Sequence, residues 1–312
     1  MDYELDPDWA SDFLLTRSEP TSALRIALAR RAESGEVVRV VRGAYLPRAV
    51  YEAHGPRHRH RDLVGARVLT DPAPALFSHS SAAALWRLPR IGTWAQRVDV
   101  LAGPASGGRS TPGIRRHSEG VVHGDRIDGI RVTSLARTVI DLARTESWED
   151  AVVVADAARA LRRFGGEPIT LTSADLLSEL AMAPRRGSAT ARHVIEFSDP
   201  RSGSPGESLS RISIARARLS PPVLQQRFDD GLGAMFTDFF WPDYGVIGEF
   251  DGVGKYLRQE WMDGRTAAQV VIDEKWREDR LRRLGPRVVR WGWDVARNPG
   301  ALARLLRSAG VR

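Results

Sequence analysis

Glu249 and Asp251 stand two residues apart in GEFDGVGKY (248–256), a run that otherwise reads as the end of a buried strand and leads directly to Lys255. Side chains alternate along a strand, so the two carboxylates share one face. Asp238 lies in a second apolar run, AMFTDFFWP, and the short link PDYG makes the two runs a hairpin. Asp238 can therefore point to the same face, and Glu207, in SPGESLSR, offers a fourth acid. Carboxylates that converge without cysteine or clustered histidine suit a hard cation such as Mg²⁺ or Mn²⁺. Close like charges in a half-buried site repel unless a cation or a proton offsets them. The chemistry expected of such a site is a metal-activated water acting on a phosphodiester. Asp238, Glu249 and Asp251 are the expected metal ligands, with Glu207 assisting. Lys255, or Lys275 on the following helix, would stabilise the developing charge. Arg277, Arg280 and Arg282 would hold the phosphate backbone. A plainer reading makes Asp251-Gly252 a turn pair and Glu249 the ion-pair partner of an arginine of that helix.

The elements that must position these residues follow from local pattern. PGESLSRISIARARL reads as a helix opening on Pro205 with Glu207 in its first turn. Two apolar strands come next, then AAQVVIDEKWREDRLRRLG as a charged helix ending at Gly285, PRVVRWGW as a strand, and NPGALARLLRSAG as a closing helix. Upstream, TSALRIALARRAESG predicts a helix capped by Thr21 or Ser22, with Leu24, Ala27, Leu28 and Ala32 on one face. EVVRVVRGAYLPR gives two short strands around Arg42-Gly43. A helix and a hairpin carrying Arg25, Arg31, Arg39 and Arg42 have the look of a winged helix that reads DNA.

HGPRHRHRD (54–62) reads as a basic linker whose His54, His58 and His60 are solvated rather than metal-bound. FSHSSAAALWRLP predicts a strand end, a serine cap and a short apolar helix. Ser78, His79 and Ser80 are read there as cap and turn residues, because neighbours in a strand face opposite ways. RVDVLAG, GIRRHSEG and GIRVTS read as strands, and TSLARTVIDLARTES and SWEDAVVVADAARALRRFGG as helices, the second ending at Gly165. The Ser/Gly/Pro/Arg-rich stretches around ATARHVIEF place a boundary near residue 200. The expected fold class is α/β (α+β) in three parts: a winged-helix-like unit over 1–55, a mixed α/β domain over 56–198, and a mixed sheet flanked by helices over 199–312.

The 312 residues carry 46 basic and 39 acidic side chains, for a net charge of +7. A basic, arginine-rich surface raises affinity for nucleic acid, although a high-GC genome also enriches arginine. The absence of cysteine excludes disulfides, thiolate metal sites and cysteine nucleophiles. No apolar run is long enough to span a membrane. The acidic start MDYELDPDWASDF lacks the pattern of a signal peptide, so a cytoplasmic protein with no membrane partner is expected.

The stretch from about residue 203 to 312 resembles the restriction-endonuclease-like PD-(D/E)XK superfamily, in its branch related to very-short-patch-repair endonucleases. SPGESLSR, TDFFWPDYGVIGEFDGVGKY and EKWREDRLRRLGPRVVRW carry the resemblance. It implies a mixed sheet between helices, Mg²⁺- or Mn²⁺-dependent DNA cleavage, and acid roles for Asp238, Glu249 and Glu207. Asp251 stands where the superfamily usually has lysine, which leaves that role to Lys255 or Lys275. The first 160 residues resemble AbiEi-type antitoxins of actinobacteria through LARRAESGEVVRVVRGAYLPR, FSHSSAAALWRLP and GIRVTSLARTVIDLA. That resemblance implies a transcriptional regulator of a type IV toxin–antitoxin-like system. Its nuclease fold would then be a scaffold that cuts nothing, and the resemblance leaves room for a homodimer and a toxin partner. RNA is a third expectation for the substrate.

Overall fold

The computed structural model describes residues 2–3, 9–18, 21–71, 75–102, 110–118, 122, 124–160, 171–252, 276–277 and 279–312. It is a mixed α/β fold of the α+β class, with one antiparallel and two mixed sheets among the described residues. The chain divides into two compact units, residues 1–158 with 171–198, and residues 159–170 with 199–312.

The first unit opens with β1 (Asp2–Tyr3) and β2 (Leu14–Leu15), followed by helix α1 (Ser22–Glu33), β3 (Val37–Val41) and β4 (Ala44–Pro47). Thr21 caps α1 by accepting the Leu24 N–H at 3.3 Å. Strands β2, β4 and β3 form an antiparallel sheet in that order, and Gly43 (φ +91°) closes the β3–β4 turn. Leu28, Val37 and Tyr45 make the small core, with Leu14 and Ala32 against it. The expected apolar face of α1 is thus narrower than its sequence pattern: Leu24 is 46% exposed and Ala27 is exposed. Only Leu28 is buried and Ala32 half-buried along α1, and its other residues meet solvent.

The basic linker expected at 54–62 is helical instead. Helix α2 (Arg48–Ala53) is followed by α3 (Pro56–Thr70), with Pro56 in the first turn, where its missing N–H costs nothing. Burial decides the matter. His60 is 2% exposed and bonds through its ring nitrogens to Ala95 O (2.9 Å) and Ser81 Oγ (3.1 Å), and His54 bonds Asp62 at 2.8 Å. A six-stranded sheet follows, ordered β1-β8-β9-β5-β6-β7, from β5 (Leu76–Phe77), β6 (Val98–Ala102), β7 (Ile114–Ser118), β8 (Gly124–Ile127) and β9 (Ile130–Thr133). Helices α4 (His79–Leu85), α5 (Leu135–Thr145), α6 (Trp148–Arg159), α7 (Ser173–Met182) and α8 (Ser188–Phe197) complete the unit. The helix expected to run to Gly165 is described as far as Arg159, and its remaining residues lie outside the described ones.

The second unit runs α9 (Pro205–Arg216), β10 (Val223–Asp229), β11 (Ala234–Trp241), β12 (Val246–Phe250), a helical stretch at 276–277 and 279–283, and β13 (Arg287–Trp291). Helices Trp293–Ala296 and Pro299–Ser308 end the chain. The sheet order is β10-β11-β12-β13; the first three strands are antiparallel and β13 is parallel to β12. Phe239, Trp241 and Trp291 stack within this core, and the Trp291 indole donates to Ser210 Oγ of α9 at 2.8 Å. Gly248 fits between Trp291 and Trp241, where a Cβ would clash with both rings. The helical stretch adds Leu281 to a separate cluster with Met235 and Ile247.

Candidate functional site

Strand register brings the polar residues of the second unit into one row. Leu224 pairs with Phe239 and Gln226 with Thr237, so Gln225 lies abreast of Asp238. Phe239 pairs with Gly248, which puts Asp238 abreast of Glu249 at the next position. Glu249 in turn pairs with Arg290 on β13. Gln225, Asp238, Glu249 and Arg290 thus form one polar row across all four strands.

The ladder between β11 and β12 opens at this row. Asp238 Oδ2 accepts the Phe250 N–H at 2.8 Å, the donor that continued pairing would have used. Glu249 is 7% exposed, and both of its oxygens accept from Arg277, at 3.1 and 3.0 Å. Arg277 also donates to Phe236 O. This is a bidentate fork on a buried carboxylate, the strong form of an ion pair. Burial pushes the Glu249 carboxyl up, as does the Asp238 charge, while Arg277 and Arg290 pull it down.

Glu207 sits at the third position of α9, 5% exposed. Its N–H donates to the cap Ser204 at 3.2 Å, and its Oε2 accepts from Gly203 N (2.8 Å) and Gln225 Nε2 (3.1 Å). Gln225 adopts φ +50°, a left-handed conformation that a non-glycine residue rarely takes. Gly206 holds α9 against β12, where a Cβ would run into the Phe250 ring. Sequence reasoning missed Gln225 and Arg290, because β10 lacks clean alternation and Arg290 looks like an ordinary surface residue of its strand.

Asp251 lies one residue past β12, half-buried, and its N–H donates to Trp291 O at 2.8 Å. The expected convergence of Asp238, Glu249 and Asp251 on an ion is not built: among the described residues no three His, Asp or Glu side chains gather as a metal site. A cation does not fit this arrangement, because the Arg277 guanidinium already holds both Glu249 oxygens. Lys255 and Lys275 lie outside the described residues.

Three of the expected DNA-binding arginines are held in ion pairs, Arg277 and Arg280 in partly buried ones and Arg31 in an exposed one. Arg277 is on Glu249, Arg280 chelates Asp230 and donates to Gly233 O, and Arg31 pairs with Glu36. Arg25, Arg39 and Arg42 are exposed on α1 and the hairpin, with no ion pair among the described residues.

Ser78 and His79 sit at the strand-to-helix junction expected of cap and turn residues, with Ser78 at the N-cap of α4, and Ser78 Oγ and His79 Nδ1 are 3.0 Å apart. His79 takes φ +47° and stacks on His117 at 3.6 Å, and His117 bonds Asp99 at 2.9 Å. Asp141, 3.9 Å from His79, receives Arg137 at 2.7 Å. His79 is 1% and Ser78 0% exposed, so this cluster is part of the interior.

Among the described residues, no helix is long and apolar enough to cross a membrane. No protein-family model matches the chain. It is 29% identical over 281 residues to the uncharacterized proteins Rv2248 and MT2308 of two strains of Mycobacterium tuberculosis, covering 88% of this chain and 92% of each of them. The crystal structure of Rv2827c from Mycobacterium tuberculosis aligns with 64% of this chain and 76% of its own, at 15% identity and a TM-score of 0.36.

Proposed function

We propose that this chain is a DNA-binding regulator whose second unit keeps a restriction-endonuclease-like scaffold with its acidic pair closed by an arginine. The observation that carries the reading is the bidentate contact of Arg277 with the buried Glu249. A guanidinium there supplies the positive charge that Asp238 and Glu249 would otherwise take from a cation. The mixed sheet with helices before and after it, and Asp238 and Glu249 on neighbouring strands, supports the scaffold part of this reading, since the resemblance to PD-(D/E)XK proteins implies a mixed sheet between helices. Exposed Arg25, Arg39 and Arg42 beside a β2-β4-β3 sheet support DNA contact through the winged-helix-like part. An antitoxin role and a toxin partner rest on the AbiEi resemblance alone.

A second reading, a Mg²⁺- or Mn²⁺-dependent endonuclease, is favoured by the side-by-side placement of Asp238 and Glu249. It requires Arg277 to leave Glu249. The two readings separate in one experiment: plasmid DNA incubated with the full chain and Mg²⁺ or Mn²⁺, beside a gel-shift titration. Retarded DNA without nicking supports the regulator. Nicking by the wild type that is lost in Asp238→Ala with Glu249→Ala overturns it in favour of the nuclease.

A further inference from the structure

A cavity of about 280 Å³ opens in the first unit, between the end of α3 and the six-stranded sheet. Its floor is apolar, from Phe77, Val98 and Ile130, all buried. Its walls carry three arginines, Arg67, Arg126 and Arg131, against one acid, Asp71. Arg126 and Arg131 are directly opposed across the antiparallel β8–β9 ladder. Like charges at that spacing destabilise a strand pair unless something offsets them. The Arg67 Nε–H is buried and has no hydrogen-bond partner among the described residues. Nothing in the proposed DNA-binding or nuclease-like roles uses this cavity.

We propose that the cavity binds a small amphipathic anion, with an apolar body on the sheet and a phosphate or carboxylate among Arg67, Arg126 and Arg131. Charge complementarity selects the head group, because the walls carry more positive than negative side chains. The apolar floor selects the body, since a bare inorganic ion would leave it in contact with water. A duplex is too broad to enter a space of this size, and its phosphates could reach only the rim.

The test is calorimetric titration of the full chain with adenosine 5′-monophosphate and with octanoate, beside adenosine, octanol and inorganic phosphate. At least one amphipathic anion is expected to bind saturably at one site, at least tenfold tighter than its neutral counterpart and than phosphate. Binding of the nucleotide alone, the acyl carboxylate alone, or both tells which body the floor accepts. Arg131→Glu is expected to abolish binding while keeping or raising the melting temperature, because it turns the opposed pair with Arg126 into an ion pair. Arg67→Gln is expected to weaken binding at least tenfold in a folded protein. No preference for the amphipathic anions, or unchanged affinity in both variants, would overturn the proposal. So would displacement of the ligand by duplex DNA through the same arginines.

Discussion

Glu249 is held between opposed influences, and its neighbours decide its charge. Burial and Asp238 favour the protonated acid; Arg277 and Arg290 favour the carboxylate. A carboxyl raised in the folded state keeps its proton to higher pH than in the unfolded chain, so its contribution to stability falls as pH rises through that window. Arg277→Ala removes a charged hydrogen-bond donor pair and is expected to cost roughly 1–3 kcal/mol. The loss should be larger at pH 8 than at pH 5, where Glu249 more readily takes up a proton, and urea midpoints at the two values check it. Equal losses at both would show that Glu249 is not the group concerned. His79 supplies the opposite case. Its imidazole is pushed down to about 2 by burial first, and then by His117, Arg137 and Arg144. The unfolded chain therefore binds a proton below about pH 6.5 that the folded chain refuses. Stability should fall as pH drops below that value, and the slope should shrink in His79→Asn, since asparagine tolerates the left-handed φ. His58, lowered to about 4, and His60 act in the same direction, so part of the slope should remain.

At the level of elements, the candidate site depends on how closely α9 approaches β12. Gly206 leaves the Phe250 ring room, and Phe250 also meets Trp293 edge-on at 5.1 Å. Gly206→Ala is expected to destabilise the protein by about 1–3 kcal/mol through overpacking, read from a denaturation curve. It should also disturb the bond from Gln225 to Glu207, which lies next in the chain. Helix α1 shows the other extreme. It buries Leu28 and presents its remaining face to solvent, so its stability owes much to the Thr21 cap and to packing on β3. A helix exposed over most of its surface can enter a groove without first leaving a core.

For the whole molecule, the net charge of +7 matters through its distribution. Arg277 and Arg280 are spent on partly buried acids and Arg31 pairs with Glu36 at the surface, whereas Arg25, Arg39 and Arg42 are exposed with no ion pair among the described residues. DNA affinity should fall linearly with salt on a log–log plot, and each lost phosphate contact should reduce the slope by about 1. Replacing Arg25, Arg39 and Arg42 by alanine is expected to lower the slope by about 3 on that basis. An unchanged slope in gel shifts across salt would remove the winged-helix-like part from DNA recognition.

Much of the architecture was legible because it is local. Apolar runs marked β11 and β12, Pro205 marked the start of α9, and the short PDYG link made Asp238 and Glu249 cross-strand neighbours. Local pattern failed where burial overrode it, as in α3, whose histidines look solvated in sequence but pack against the sheet. It was also weak for β10 and β8, whose mixed polarity hides their pairing. The sequence by itself determined which residue types stand on adjacent strands, because period and turn length set register. The sequence offered an arginine of the following helix as a partner for Glu249, and only the tertiary structure decided that it is Arg277, 28 residues on, that reaches back to hold both oxygens. The position of a helix over a sheet depends on packing between distant parts of the chain, and local pattern does not encode that.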